Sequence, residues 1–155
     1  MKRILVGVDG SKYSLEAVKA AAKLASERGI RSVTLINVIP VAVSTMGPVT
    51  VAAPPEDIES WEVFEEPKAI LKKAGVEARL LLREGDPAYE IIQVAKTEGY
   101  DLIVVGHRGL SPIQAFLLGS VSNRIVAHAP CSVLVARAGL ENNEQQPGGL
   151  NGSNA

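Results

Sequence analysis

The chain has 155 residues, of which 46% are hydrophobic and 21% charged, values that fit one globular domain able to bury a core. Aromatic residues make up only 4%, and Lys plus Arg number 16 against 17 for Asp plus Glu, a net charge of −1; the core must be aliphatic, and the balance argues against a nucleic-acid binder relying on a basic surface. The lone cysteine rules out an internal disulfide framework and any multi-cysteine zinc site.

Ile4, Leu5, Val6 and Val8 form a nearly continuous apolar run that stops at Asp9-Gly10-Ser11. A short run of this kind reads as a strand covered on both faces. Leu15, Val18, Ala22 and Ala25 then recur at helical spacing, with Gly29 as a left-handed cap. Val33 to Ile39 is a second apolar strand, ended by Pro40. Residues 41–55 hold Gly47, Pro48, Pro54 and Pro55 with little charge and read as a loop. A flexible connector is its plainer role; a flap over a ligand or a subunit contact is the other.

A helix is predicted from about Glu56 to Ala74, where Pro67 should break or kink it and so allow two shorter helices. Val76 to Arg83 alternates apolar and polar residues, as a strand with one wetter face near a sheet edge does. Asp86-Pro87 opens the next helix, with Asp as cap and Pro at the first helical position; Ala88, Ile91, Ile92 and Ala95 supply its buried face. Leu102 to Val105 is a fourth strand, running into Gly106-His107-Arg108-Gly109. A helix following Gly119-Ser120 ends before Pro130, and Ser132 to Ala136 forms a fifth strand. Strands alternating with helices predict an α/β domain over residues 1–138, a parallel sheet with helices on both faces. From Gly139 the tail, residues 139–155, lacks aromatics and periodicity and reads as disordered. No apolar run reaches membrane-spanning length and MKRILVGVDGS lacks the layout of a signal peptide, so a soluble cytoplasmic protein without a membrane or nucleic-acid partner is expected.

In an open parallel sheet, ligands bind beyond the carboxyl ends of the strands where the strand order reverses. Asp9 and Gly106 stand at two such ends. Phosphate binding needs exposed backbone N–H groups and no side chain barring close approach. Gly106 and Gly109 can supply that loop. Gly119, Ser120, Val121 and Ser122 begin a helix whose unpaired N–H groups and dipole favour an anion, with the Ser120 and Ser122 hydroxyls as further donors. The plainer alternative makes the glycines turns and the serines caps.

The spacing Gly106-x2-Gly109-x9-Gly119-Ser120, with VGVDGS near the start and HAPCSVLV near the end, resembles the ATP-binding branch of the universal stress protein family over about residues 2–137. The resemblance implies a Rossmann-like, five-stranded parallel sheet in the order 3-2-1-4-5. It implies that Asp9 meets the ribose or adenine side of a nucleotide and Val38 the adenine through its backbone. Gly106, Arg108 and Gly109 would line the ribose and phosphate path, and Gly119 to Ser122 would hold the phosphates. It also implies a homodimer through the fifth strand, Ser132 to Ala136, a pairing that would protect an apolar edge. Asp9 and Ser122 as helix caps and Arg108 as a solvated loop charge are the competing readings.

His107 falls on a variable position of the pattern and is assigned no ligand role. His128 suits a helix C-terminus, Cys131 reads as buried rather than reactive, and Trp61 and Phe64 read as core or interface residues. The sequence lacks GxxxxGK[ST] and GxGxxG and contains no Gly-Lys pair. Without a P-loop lysine, fast phosphoryl transfer loses its usual electrostatic help. The expected function is therefore an ATP-binding regulatory module of the stress-response type, with Mg²⁺ accompanying the nucleotide and no catalytic residue assigned. A slow ATPase or phosphotransferase and a nucleotide-free dimeric interaction module are the alternatives; AMP or a cyclic nucleotide could use the same site.

Overall fold

Ile4, Val6 and Val8 pack against one layer of helices while Leu5, between them, packs against the other, which is why the first strand is apolar at every position. In the computed structural model, which describes residues 1–50, 52–108 and 118–138, this strand, β1 (Ile4–Gly7), is the centre of the sheet. It pairs in parallel with β2 (Ser32–Ser44) on one side and β5 (Leu102–Gly106) on the other. Outside β2 lies β4 (Glu77–Gly85), and outside β5 lies β6 (Ser132–Ala136), both parallel. The five parallel strands thus run in the order β4-β2-β1-β5-β6, the predicted 3-2-1-4-5. Helices α1 (Lys12–Arg28) and α2 (Glu65–Lys73) cover one face; α3 (Pro87–Thr97) and α4 (Ser120–His128) cover the other. Among the described residues, no helix is long and apolar enough to cross a membrane. The predicted tail, 139–155, and Gly109 lie outside the described residues.

Three sequence expectations change. Pro40 does not end the second strand: β2 continues to Ser44 and returns as a sixth strand, β3 (Gly47–Thr50), antiparallel to its outer end. The reason is the direction of the missing N–H. The Ile36 C=O accepts from the Val8 N–H, so by strand alternation Pro40 faces the same side, beyond the end of β1, where no ladder bond is lost. Residues 41–50, predicted as loop, are therefore mostly a hairpin. It exposes Val43, Met46 and Val49, and no charged residue occurs from Ser32 to Pro55.

The helix predicted over 56–74 is instead two 3₁₀ turns, Ile58–Ser60 and Glu62–Phe64, followed by α2. Pro67 falls in the first turn of α2, where its absent N–H costs no helical bond. In α3 the fourth buried position is filled by Val94 rather than Ile92, alongside Ala88, Ile91 and Ala95.

Helix ends follow their caps. Ser11 accepts from the Ser14 N–H at the start of α1, and Gly29 closes it at φ 66°. Asp86 accepts from the Tyr89 N–H at 2.8 Å and also pairs with Arg124 of α4 at 2.8 Å, tying the two helices of one face together. That guanidinium holds the Asp86 carboxyl below the usual carboxylate range, helped by the Tyr89 N–H and opposed by partial burial. Because its pKa is lower in the folded chain than the value of about 3.9 for an unfolded aspartate, its stabilisation is complete above that value and is lost as pH falls through the folded value. Asp86→Ala is expected to lower the unfolding free energy by about 1 kcal/mol at neutral pH and to flatten the acid limb of the stability curve, as measured by urea denaturation across the acid range.

Candidate functional site

The chain leaves β1 to build β2 on one side and returns later to build β5 on the other, so a crevice opens where β1 and β5 end and β2 runs on past them. It holds a cleft of about 510 Å³, within the usual range for small-molecule sites. Asp9, Val38, Gly106, Arg108, Gly119, Ser120, Val121 and Ser122 all line it. Eight of the nine residues singled out from the sequence are therefore brought to one place, from β2, the ends of β1 and β5, and the start of α4.

At the polar end, the glycines have tight neighbours. A side chain on Gly106 would stand 2.5 Å from the Tyr13 carbonyl oxygen, and one on Gly119 would stand 2.8 Å from the Arg108 Cα. Both obstructions are backbone, so these glycines let α1 approach the end of β5 and let α4 begin beside Arg108. The Gly119 N–H donates to the His107 C=O at 2.7 Å. The buried Ser122 hydroxyl donates to the Gly106 C=O at 2.5 Å, so its proton fastens α4 to β5. The first intrahelical bond of α4 runs from the Asn123 N–H to the Gly119 C=O, and no side chain caps this helix. The Ser120, Val121 and Ser122 N–H groups thus precede the helical ladder at the edge of the cleft, and the exposed Ser120 hydroxyl stands with them.

Asp9 is half-buried. Its Oδ1 accepts from the Ser11 N–H at 2.9 Å, so it shapes the turn into α1 as well as lining the cleft. Asp9 and Arg108 are the two charged side chains among the described residues of the lining.

The opposite end is apolar, with Ile36, Val38, Ile39, Pro40 and Val63. Val38 lies, like Pro40, on the side of β2 that faces past the end of β1, so its peptide groups point into the crevice. Trp61 forms part of the same wall. Its indole N–H donates to the Asn37 Oδ1 at 2.8 Å, and the Asn37 Nδ2 donates to the Val8 C=O at 2.8 Å. Asn37 is a buried amide with both ends engaged, and it bolts the 3₁₀ segment to the end of β1. Sequence reading made Trp61 and Phe64 core or interface residues; Phe64 is fully buried in the core, and Trp61 packs partly buried against the same core while also lining the cleft.

His107 is the second residue whose role the sequence did not reveal. It is 8% exposed and meets the Tyr13 ring edge-on, with centroids 5.1 Å apart and planes at 85°. Its Nδ1 is buried without a hydrogen-bond partner. Burial, then the charges of Arg137 and Arg108, push its pKa down. Cys131 is half-buried, and burial pushes its thiol pKa up, the state of an unreactive cysteine.

A doubly wound parallel sheet with a cleft at its switch point defines a Rossmann-like α/β protein. The family model described as "Universal stress protein family" matches residues 1–137. A universal stress protein of Bacillus subtilis, YxiE, is 34% identical over 146 residues, covering 87% of this chain and 98% of its own. The chain belongs to the universal stress protein family. Among solved structures, the universal stress protein UspA from Lactobacillus plantarum superposes with a TM-score of 0.70 at 22% identity, covering 88% of this chain and 97% of its own. A universal stress protein in complex with cAMP superposes at 0.65 with 26% identity, covering 88% and 96%; other similar structures are complexes with AMP and dAMP.

Two outcomes follow from this packing. Gly106→Ala and Gly119→Ala should each destabilise the protein by about 1–3 kcal/mol in denaturant titrations without any ligand. The depressed His107 pKa means that the unfolded chain, with a histidine pKa of about 6.5, takes up a proton before the folded one does. The stability contributed by neutral His107 is present above that value and is lost as pH falls through the folded pKa, and His107→Phe should flatten the slope of stability against pH in that window.

Proposed function

We propose that the protein is an ATP-binding regulatory module, with the cleft as its nucleotide site. The observation that carries this reading is the convergence of an apolar end and a polar end in one cleft of about 510 Å³ at the switch point. Adenine fits between Val38 and the Trp61 wall, with the Val38 peptide groups as its hydrogen-bonding edge; Asp9 faces the ribose. Arg108, Gly106, Gly109 and the N-terminus of α4 from Gly119 to Ser122 take the phosphates. The Ser122 hydroxyl proton is engaged by Gly106, so Ser122 serves the phosphates through its N–H. The cAMP complex of a 26% identical relative supports an adenine nucleotide as the ligand class.

Mg²⁺ would arrive with the nucleotide. Among the described residues there is no cluster of three metal-ligating side chains, and the cleft offers one carboxylate, Asp9. That donor set suits a hexahydrated or phosphate-held Mg²⁺ touching a single carboxylate, its common habit. What supports a regulatory role is what the cleft touches: Trp61 and Ala52 line it and belong to the segment that follows the β2–β3 hairpin, so occupancy would bear on a surface-exposed element. Slow ATP hydrolysis is a second reading only in so far as Asp9 could orient a metal ion.

β6 closes one edge of the sheet, with Leu134 exposed on it and Val126 exposed on α4. A homodimer through Ser132 to Ala136 would cover this edge, and Leu134→Glu should then shift the protein toward monomer in sedimentation velocity.

Trp61 is the sole tryptophan and stands in the cleft wall, so titration with ATP should change its fluorescence saturably, in step with calorimetric binding. The absence of both signals at millimolar ATP would overturn the nucleotide reading.

A further inference from the structure

Arg108 is the sole basic side chain among the described residues of the cleft, and the sequence contains no other Lys or Arg between it and Ser120. A long guanidinium side chain left to itself loses much rotational freedom when it closes on an anion, which weakens binding. Here the guanidinium is already held. It lies 4.5 Å from the centroid of the Tyr13 ring, and its Nη2 donates to the Tyr13 hydroxyl.

The tyrosine is itself held. Its backbone lies against Gly106 with no room for a side chain between them, its ring takes the edge contact from His107, and the Lys12 ammonium sits 5.3 Å from the ring centroid. Tyr13 does not line the cleft, and of the side chains its ring and hydroxyl touch, Arg108 is the one that does.

We propose that Tyr13 is a positioning residue that pre-orients Arg108 for the phosphate of the bound nucleotide by stacking under the guanidinium and accepting its hydrogen bond. This rests on the nucleotide reading of the cleft. The sequence places a tyrosine in the first turn of α1 for this purpose, about a hundred residues from the arginine it serves.

The test compares AMP with adenosine, which differ only in the phosphate, by calorimetry on the full chain. The proteins are the wild type, Tyr13→Phe, Tyr13→Leu, Arg108→Ala and the Tyr13→Leu/Arg108→Ala double variant. Tyr13→Phe keeps the ring and its contact with His107 and removes only the hydroxyl, so it provides a fold-preserving variant. Tyr13→Leu is expected to weaken AMP about three- to tenfold, the effect of freeing one side chain, with Tyr13→Phe between it and the wild type. Adenosine binding should stay within about twofold of wild type throughout. In the Arg108→Ala background, Tyr13→Leu should have no further effect.

Equal losses for AMP and adenosine, an undiminished Tyr13→Leu effect without Arg108, or AMP binding unchanged in both tyrosine variants would each overturn the positioning role while leaving the nucleotide site standing. A wild type that binds AMP and adenosine at neither end of a millimolar titration would overturn the nucleotide reading and the positioning role together.

Discussion

The Tyr13 carbonyl at the first turn of α1 and the glycine that ends β5 approach so closely that a Cβ would lie 2.5 Å from the oxygen. This contact sets the distance between α1 and the sheet at the point where the strand order reverses. From it follow the height of the Asp9 turn, the position of the Tyr13 ring over which Arg108 lies, and the depth of the cleft. A second close approach, Gly119 against Arg108, fixes where α4 can begin. The Ser122 hydroxyl on the Gly106 carbonyl and the Gly119 N–H on the His107 carbonyl then lock the two together. An edge of the cleft lined by backbone N–H groups is thus a by-product of packing two helices tightly around one strand end.

The cleft also divides its chemistry along its length. The wall formed by Ile36, Val38, Ile39 and Pro40 is apolar, and the one buried amide there, Asn37, is consumed by Val8 and Trp61, so it offers shape more than spare donors. At the other end the described residues provide one guanidinium and the uncapped start of a helix. With Asp9 and Arg108 offsetting each other, the described lining carries no charge excess, and its attraction for an anion rests on backbone dipoles.

β1, β5 and the first part of β2 were legible because they are buried on both faces, which leaves the sequence no choice but continuous aliphatic runs; β4, at an edge, announced its wetter side by alternation. Pro40 misled because proline reads as a stop unless one knows that its nitrogen faces the open side of β2. The hairpin behind it had no charged or alternating pattern to reveal it. Trp61 and Phe64 read as core or interface residues, and both pack in one core cluster, but nothing in the sequence marked Trp61 as part of the cleft wall as well. The glycine spacing located the site, yet the same glycines are required by α1 and Arg108, and a sequence cannot separate a glycine that admits a ligand from one that admits a helix. His107 was passed over because its contact with Tyr13 joins segments far apart in the chain.

The central position of β1 has a consequence for how the chain is made. One edge of β1 is satisfied early, by β2. The other waits for β5, since Ile4 pairs with Leu102, and at about 5–20 residues per second the intervening stretch takes roughly 5–20 s to synthesise. Throughout that interval a fully apolar strand keeps a row of unpaired peptide groups on the nascent chain. The central strand therefore waits longest for its second partner: the outer edge of β2 is paired by β4 from Glu77, and that of β5 by β6 from Ser132.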